Sequence, residues 1–301
     1  MCYIAHSCGE SRGKAGTVTG EPTPARRRLV GNALRRYREN VGYALEDAAR
    51  VLECDRSKIS RIETGQRGIR PKELRELLAE YGVPVSEQLA LLTIVGRGSR
   101  RGWWDHYTHV LSEAYLDYII MESAASEIMV YEAQLVPDLL QTDDYAAALA
   151  RAEPGFTKEQ REDTVAAKAV RRQAVLGGAD GGPRLAVVLG EGALHQEVGG
   201  PDVLAGQIRQ LIELSTGVAA ITIQVLPFAA GAHGGAGSGS LAILRFPDAP
   251  SLGVVYLEAL SGGVYLESQD DVARYIRAFA LLRASALSAE DSVSLLRSLI
   301  R

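Results

Sequence analysis

Cysteine is scarce in this chain: Cys2, Cys8 and Cys54 are the only three thiols in 301 residues. An odd, sparse set excludes the disulfide framework that staples small secreted domains. Cys2, His6 and Cys8 stand close together, but a structural zinc site takes four ligands, so they read better as residues of a tail. No metal and no cofactor is expected. No apolar run is long enough to cross a bilayer, and the first residues lack a signal-peptide core. The expectation is a cytoplasmic protein with no membrane partner. Catalytic constellations are missing too. The one glycine-rich loop of note, GAHGGAGSGS, lacks the Lys-Ser/Thr ending of a phosphate loop and opens no helix, so it reads as a hairpin connection. Glu191, His195 and Glu197 have no nucleophile beside them in the sequence, and His106 and His109 are too few for zinc. The chain is expected not to be an enzyme.

What is present is a division of charge. Residues 26–101 hold 17 Lys+Arg against 10 Asp+Glu, a balance of +7, and the rest of the chain carries −11. Such asymmetry points to a polyanion as the partner of the first part and not of the second. The 47% hydrophobic fraction supports one large core or a few small ones. Residues 1–25 are rich in Gly, Ser, Thr and Pro without apolar period, and are expected to be a disordered tail. Residues 26–101 read as five short helices. The stripes are Val30, Leu34, Tyr37 and Val41; Leu45, Ala48, Ala49 and Leu52; Ile59 and Ile62; Leu74, Leu77, Leu78 and Tyr81 behind Pro71; and Val85, Leu89, Leu92 and Val95.

The third of these, DRSKISRIETG, organises the domain. Asp55 is placed to cap it and Gly65 to end it. With Ile59 and Ile62 turned inward, Ser57, Ser60 and Arg61 fall on the opposite side, flanked by Arg56 and Lys58. Two short helices joined by Glu53–Cys54–Asp55, the second with a basic outer face, describe a helix-turn-helix.

These residues resemble the lambda-repressor-like, xenobiotic-response-element type of helix-turn-helix domain. The match is carried by Leu34, Arg38, Gly42, Ala49, Leu52, Ser57, Ile59, Ser60, Ile62, Glu63 and Gly65. The resemblance implies that Arg56, Ser57 and Arg61 read bases, and that Lys58, Thr64 and Arg67 lie near phosphate. It also implies a structural ion pair between Arg38 and Glu63. The chain departs from the family where the second helix begins. Ala44 and Leu45 replace a hydroxyl cap and a phosphate-contacting glutamine.

Residues 102–301 read as an α+β domain, with a mixed sheet covered by helices. Strands are expected at Ser126–Glu132, Leu185–Leu189, Ile221–Val225, Leu241–Phe246 and Val254–Leu257, and Tyr115–Met121 as helix or strand. Helices are expected behind the caps Thr142, Ser268 and Ser288 and behind Pro201. The segments GWWDHY, YEAQLVPDLLQTDDYA, ITIQVLPFAAGAHGG and VVYLE resemble the domain of unknown function 5753, often joined to such helix-turn-helix modules in actinobacterial regulators. That resemblance implies transcriptional control and a small companion protein encoded nearby.

The reading is therefore a regulator that binds double-stranded DNA as a homodimer, with a C-terminal domain that senses a small-molecule effector or a partner protein. Trp103, Trp104, Tyr107, Tyr131 and His233 are candidates for that surface, His233 on the loop Phe228–Ser240. The alternatives are an antitoxin-like protein-binding module with autoregulatory DNA binding, or a small-molecule enzyme fused to a DNA-binding domain.

Overall fold

A computed structural model describes residues 24–98, 102–177, 182–235, 239–247, 249–259 and 263–300. The tail expected over residues 1–25, with Cys2, His6 and Cys8, lies outside the described residues up to position 23. Five helices open the chain: α1 (Ala25–Asn40), α2 (Leu45–Val51), α3 (Arg56–Glu63), α4 (Pro71–Glu80) and α5 (Val85–Gly98). They close around Leu29, Leu34, Ala48, Ile59, Ile62, Leu74, Leu77 and Leu78, all essentially buried. Gly42 and Gly65 end α1 and α3 at φ 75°, a left-handed backbone that a Cβ would strain.

Two local expectations need correction. Asp55 has the extended backbone of a cap, yet its carboxylate accepts no bond from α3. The Lys58 N–H donates instead to the Asp55 backbone oxygen (2.9 Å). In α5 the expected stripe is not the buried face. Val85 is 71% and Leu89 59% exposed, while Ala90, Leu91 and Ile94 turn inward. Apolar residues lie on several sides of this helix, so period alone could not choose its core face.

The second half comprises α6 (Glu113–Glu122), β1 (Glu127–Glu132), α7 (Asp143–Ala152), α8 (Lys158–Leu176), β2 (Arg184–Gly190), α9 (Pro201–Gly217), β3 (Ile221–Leu226), β4 (Leu241–Phe246), β5 (Ala249–Leu257), β6 (Val264–Leu266), α10 (Gln269–Ser285) and α11 (Ala289–Leu299). The strands form one mixed sheet in the order β3-β2-β1-β4-β5-β6. β1, β2 and β3 run parallel, with Val130 beside Val187 and Val187 beside Ile223; β4, β5 and β6 add antiparallel. Thr142, Thr157, Ser268 and Ser288 each accept a bond from a first-turn N–H of the helix they open.

Both faces of the sheet are covered, and strand alternation decides which side chain goes where. Ile128, Val130, Val187, Ile223 and Leu244 point into a core continuous with that of the helical domain. Met129, Tyr131, Val188 and Ile243 point the other way, against Val272, Phe279 and Leu282 of α10.

The helical domain docks on the sheet domain through α1. The Arg28 guanidinium donates twice to Glu267 (3.1 and 2.7 Å), and Arg26 pairs with Asp117 (3.4 Å). Arg36 reaches the carbonyl and hydroxyl of Ser251 (3.3 and 3.0 Å), and the Ser251 hydroxyl donates to Glu87 of α5 (2.9 Å). Burial pushes the Asp117 and Glu267 carboxyls up, against the pull of Arg26 and Arg28. Part of the positive balance of the first half is thus spent inside the molecule.

Candidate nucleic-acid interface

α3 lies across the helical domain with one side held and one side free. Ile59 and Ile62 anchor the held side at 1% and 2% exposure. Beside them Arg38 of α1 grips Glu63 with two parallel bonds, Nε to Oε1 (2.7 Å) and Nη2 to Oε2 (2.9 Å). Its remaining Nη1 donates to the Tyr43 carbonyl oxygen (2.6 Å), which fixes the turn before α2. Both charges are nearly buried, at 8% and 6% exposure. One guanidinium therefore ties α1, the α1–α2 turn and the end of α3 together.

The free side carries Arg56, Ser57 and Arg61, all exposed. Arg56 makes a solvent-exposed pair with Glu46 (2.9 Å), and Arg61 rests on the Ser57 carbonyl oxygen (3.2 Å). Contacts of this exposed kind are weak and exchange readily for others. Lys58 is more committed. Its ammonium sits 2.6 Å from Glu73 of α4, with both side chains mostly covered. Burial alone would raise the Glu73 carboxyl, but Lys58 and the Arg70 N–H outweigh it and hold it low. The Thr64 hydroxyl donates back to the Ser60 carbonyl oxygen (2.9 Å). Arg67 shares the rim of a hollow of ≈250 Å³ with Arg27 and Arg70, and with Arg26, whose charge Asp117 already holds. These cations come from α1 and from the turn after α3, so no single stretch of sequence displays the patch. Where the hydroxyl cap is lacking, the Asp47 carboxylate accepts the Ala44 N–H (2.7 Å), so the start of α2 is still tied down.

The seat of α3 is close. A Cβ on Gly31 of α1 would come 2.5 Å from the Ile62 carbonyl oxygen and 2.6 Å from that of Glu63. Both atoms are backbone, so a side chain here must displace the end of α3. Gly31→Ala is expected to cost about 1–3 kcal/mol, as overpacking does, and to weaken DNA binding, because the reading face moves. A chemical melt and a DNA titration check this. An unchanged melt would show that the seat is loose.

In the sheet domain the candidate residues separate. Trp103, Trp104 and Tyr107 form an edge-to-face group in the turn Trp103–Tyr107, partly buried against the first core. Tyr131 lies on the opposite face of the sheet, in the second core, with its ring 6.3 Å from His233. The structure makes two places of them. The two glycines after His233 are packed: added carbons on Gly234 and Gly235 would meet Leu281 and Leu282 of α10. His109 pairs with Asp163 (2.8 Å), and Glu191 accepts the Phe228 N–H (2.6 Å). Among the described residues no group of three His, Cys, Asp or Glu is arranged to hold a metal ion.

A buried polar network under α8 was not read from the sequence. Arg171 forms a two-bond pair with Glu122 (2.7 and 2.6 Å) and lies over the rings of Tyr115 and Tyr118. Lys168 reaches Asp138 (2.9 Å) and Gln141 (3.0 Å). Burial would raise Asp138, but these two cations hold it well below the usual carboxylate range.

Comparison with known families gives two matches. A helix-turn-helix domain model matches residues 29–91, and the model of a domain of unknown function (DUF5753) matches residues 115–298. No curated protein and no solved structure matches. No helix among the described residues is long and apolar enough to cross a membrane. The matched helix-turn-helix domain supports a DNA-binding regulator.

Proposed function

The chain belongs to the family of the domain of unknown function DUF5753, here joined behind a helix-turn-helix domain, and from that premise we propose a sequence-specific transcriptional regulator whose sheet domain receives the signal. The observation that carries the reading is the two-sided α3, locked to α1 by Arg38 and Glu63 and free along Arg56, Ser57 and Arg61. In this reading Arg56, Ser57 and Arg61 meet base edges in the major groove, where hydrogen-bond patterns distinguish all four base pairs. Lys58, Thr64 and Arg67 lie on phosphates, Lys58 by sharing its proton donors with Glu73.

The signal has a route. α1 is held to the sheet domain by Arg26, Arg28 and Arg36 and to α3 by Arg38. An effector or companion protein acts by binding one arrangement of the two domains better than the other, since equal binding shifts nothing. The test is a titration of labelled DNA fragments, recovered by their affinity for the protein, with and without the companion protein or a metabolite extract. The reading expects DNA affinity that falls with salt and changes with one of the additions. An affinity that neither touches removes the regulatory role.

A homodimer completes the proposal. One small helical domain covers few base pairs, and two-fold dimers read half-sites about 34–36 Å apart. The surfaces on offer are α10 and α11 and the exposed Val85 and Leu89 of α5. Light scattering at micromolar concentration is expected to give twice the chain mass. A monomer both on and off DNA contradicts it.

A further inference from the structure

We infer that the hollow between α1, the turn after α3 and α5 binds a small apolar acid, a carboxylate on a body of one or two rings, with Arg27 and Arg67 as the receptors of its charge. The site lies in the helical domain, so it goes beyond the reading above and holds whether or not the sheet domain receives a signal.

The hollow has two layers. Its base is apolar: Val30 of α1, Ile62 of α3, Ile69 in the turn, and Ile94 and Val95 of α5. Its ≈250 Å³ falls just short of the about 300–1,000 Å³ of drug-sized sites, which sets the size of the body. Apolar surface placed there gains by leaving water. Four arginines and no acidic residue complete the lining.

The four charges are not equal. Asp117 holds Arg26 (3.4 Å). Arg70 stands beside Glu73, whose carboxylate accepts the Arg70 N–H (3.2 Å) and is held low in part by its charge. Glu73 is drawn the other way by Lys58 (2.6 Å), so it offsets Arg70 only in part. Arg27 and Arg67 differ. Both are exposed, and neither forms an ion pair or a side-chain hydrogen bond among the described residues. A Cβ on Gly68 would stand 3.7 Å from the Arg27 Nε, so the arm of Arg27 crosses from α1 to the turn that carries Arg67.

These walls select the ligand. A cation would meet guanidinium groups, and a neutral body would leave the rim unused. A DNA phosphate engages the rim alone and leaves the apolar base bare. An acid with an apolar body satisfies both layers. Because Arg67 is also a phosphate contact in the proposed DNA face, acid and DNA compete for it, and each weakens the other by the same factor.

The experiment is equilibrium dialysis of the full chain with 2-naphthoate. Naphthalene-2-methanol supplies the same body without charge, and acetate the charge without the body. Naphthoate is expected to bind at least about tenfold more tightly than either, since a hydrogen bond to a charged group carries that much. Arg27→Gln and Arg67→Ala should each weaken it by about tenfold. Gly68→Glu sets a carboxylate beside Arg27 and should do the same. Its Cβ meets nothing closer than the Arg27 Nε at an ordinary contact distance, so the turn is kept. Unchanged affinity for the alcohol, with thermal melts, confirms that the hollow persists in each variant. Saturating DNA should weaken naphthoate in the wild type. Naphthoate no tighter than acetate makes the rim a phosphate surface only and overturns the site. Naphthoate no tighter than the alcohol, or unchanged in the variants, overturns it as well. If Arg67→Ala weakens naphthoate but DNA does not, the site stands and the phosphate role of Arg67 fails.

Discussion

Arg38→Ala and Glu63→Ala are each expected to destabilise the helical domain by about 3–5 kcal/mol, the cost of leaving one member of a buried ion pair without the other. The geometry sets the size. Two bonds of 2.7 and 2.9 Å join groups that are 8% and 6% exposed, so a carboxylate left without its guanidinium has little water to turn to. Arg38→Ala also strips the donor from the Tyr43 carbonyl oxygen, so it is expected to be the worse of the two. Replacing both together with apolar residues, Arg38→Met with Glu63→Leu, should recover most of the loss, because no uncompensated charge remains. It should not recover all of it, since an unsatisfied carbonyl still costs about 1–3 kcal/mol. Urea melts of the three variants check this. A single change that costs less than about 1 kcal/mol would mean that the pair behaves like a surface bridge, and that α3 is seated by its isoleucines alone.

Arg61→Ala should leave that stability unchanged, because the side chain is exposed and gives up only a 3.2 Å contact with the Ser57 carbonyl oxygen. Its effect is expected on DNA. A two-bond arginine–guanine contact carries about 1–3 kcal/mol of discrimination, so affinity for a preferred fragment should fall by about tenfold to a hundredfold while affinity for unrelated DNA changes little. Arg67→Ala should instead weaken binding to all sequences and reduce the salt slope by about one ion. Lys58→Ala is expected to do the same and also lower stability, since it releases Glu73. Titrations on preferred and unrelated DNA at several salt concentrations separate these outcomes. Equal selectivity in wild type and Arg61→Ala would remove Arg61 from the reading face.

Much of this arrangement was legible because the deciding signals are local. Ile59, Ile62 and Gly65 set the held side and the end of α3 within one short stretch, and Thr142, Ser268 and Ser288 mark helix starts by their own hydroxyls. Where neighbours in space decide, the sequence was silent. α5 is apolar on several sides, so only its packing shows that Leu91 rather than Leu89 is buried. β6 has three residues and no full face buried, too little to give a period. Tyr131 looked like a companion of the tryptophans, but strand alternation turns it to the other side of the sheet from Val130. The charge balance was the least direct guide. Arg26, Arg28 and Arg36 counted toward a DNA-binding surface, yet they bind Asp117, Glu267 and Ser251. Arg171 and Glu122 sit on helices far apart in the chain, and nothing in either helix's pattern shows that they meet.

The most direct test of sequence-specific binding is selection of fragments from genomic DNA by the full chain, followed by sequencing of what is retained. The account predicts enrichment of fragments that share one motif in paired half-sites, and loss of that enrichment in Arg61→Ala while bulk DNA is still held. Fragments retained in proportion to their abundance, with no common motif in the wild type, would contradict it.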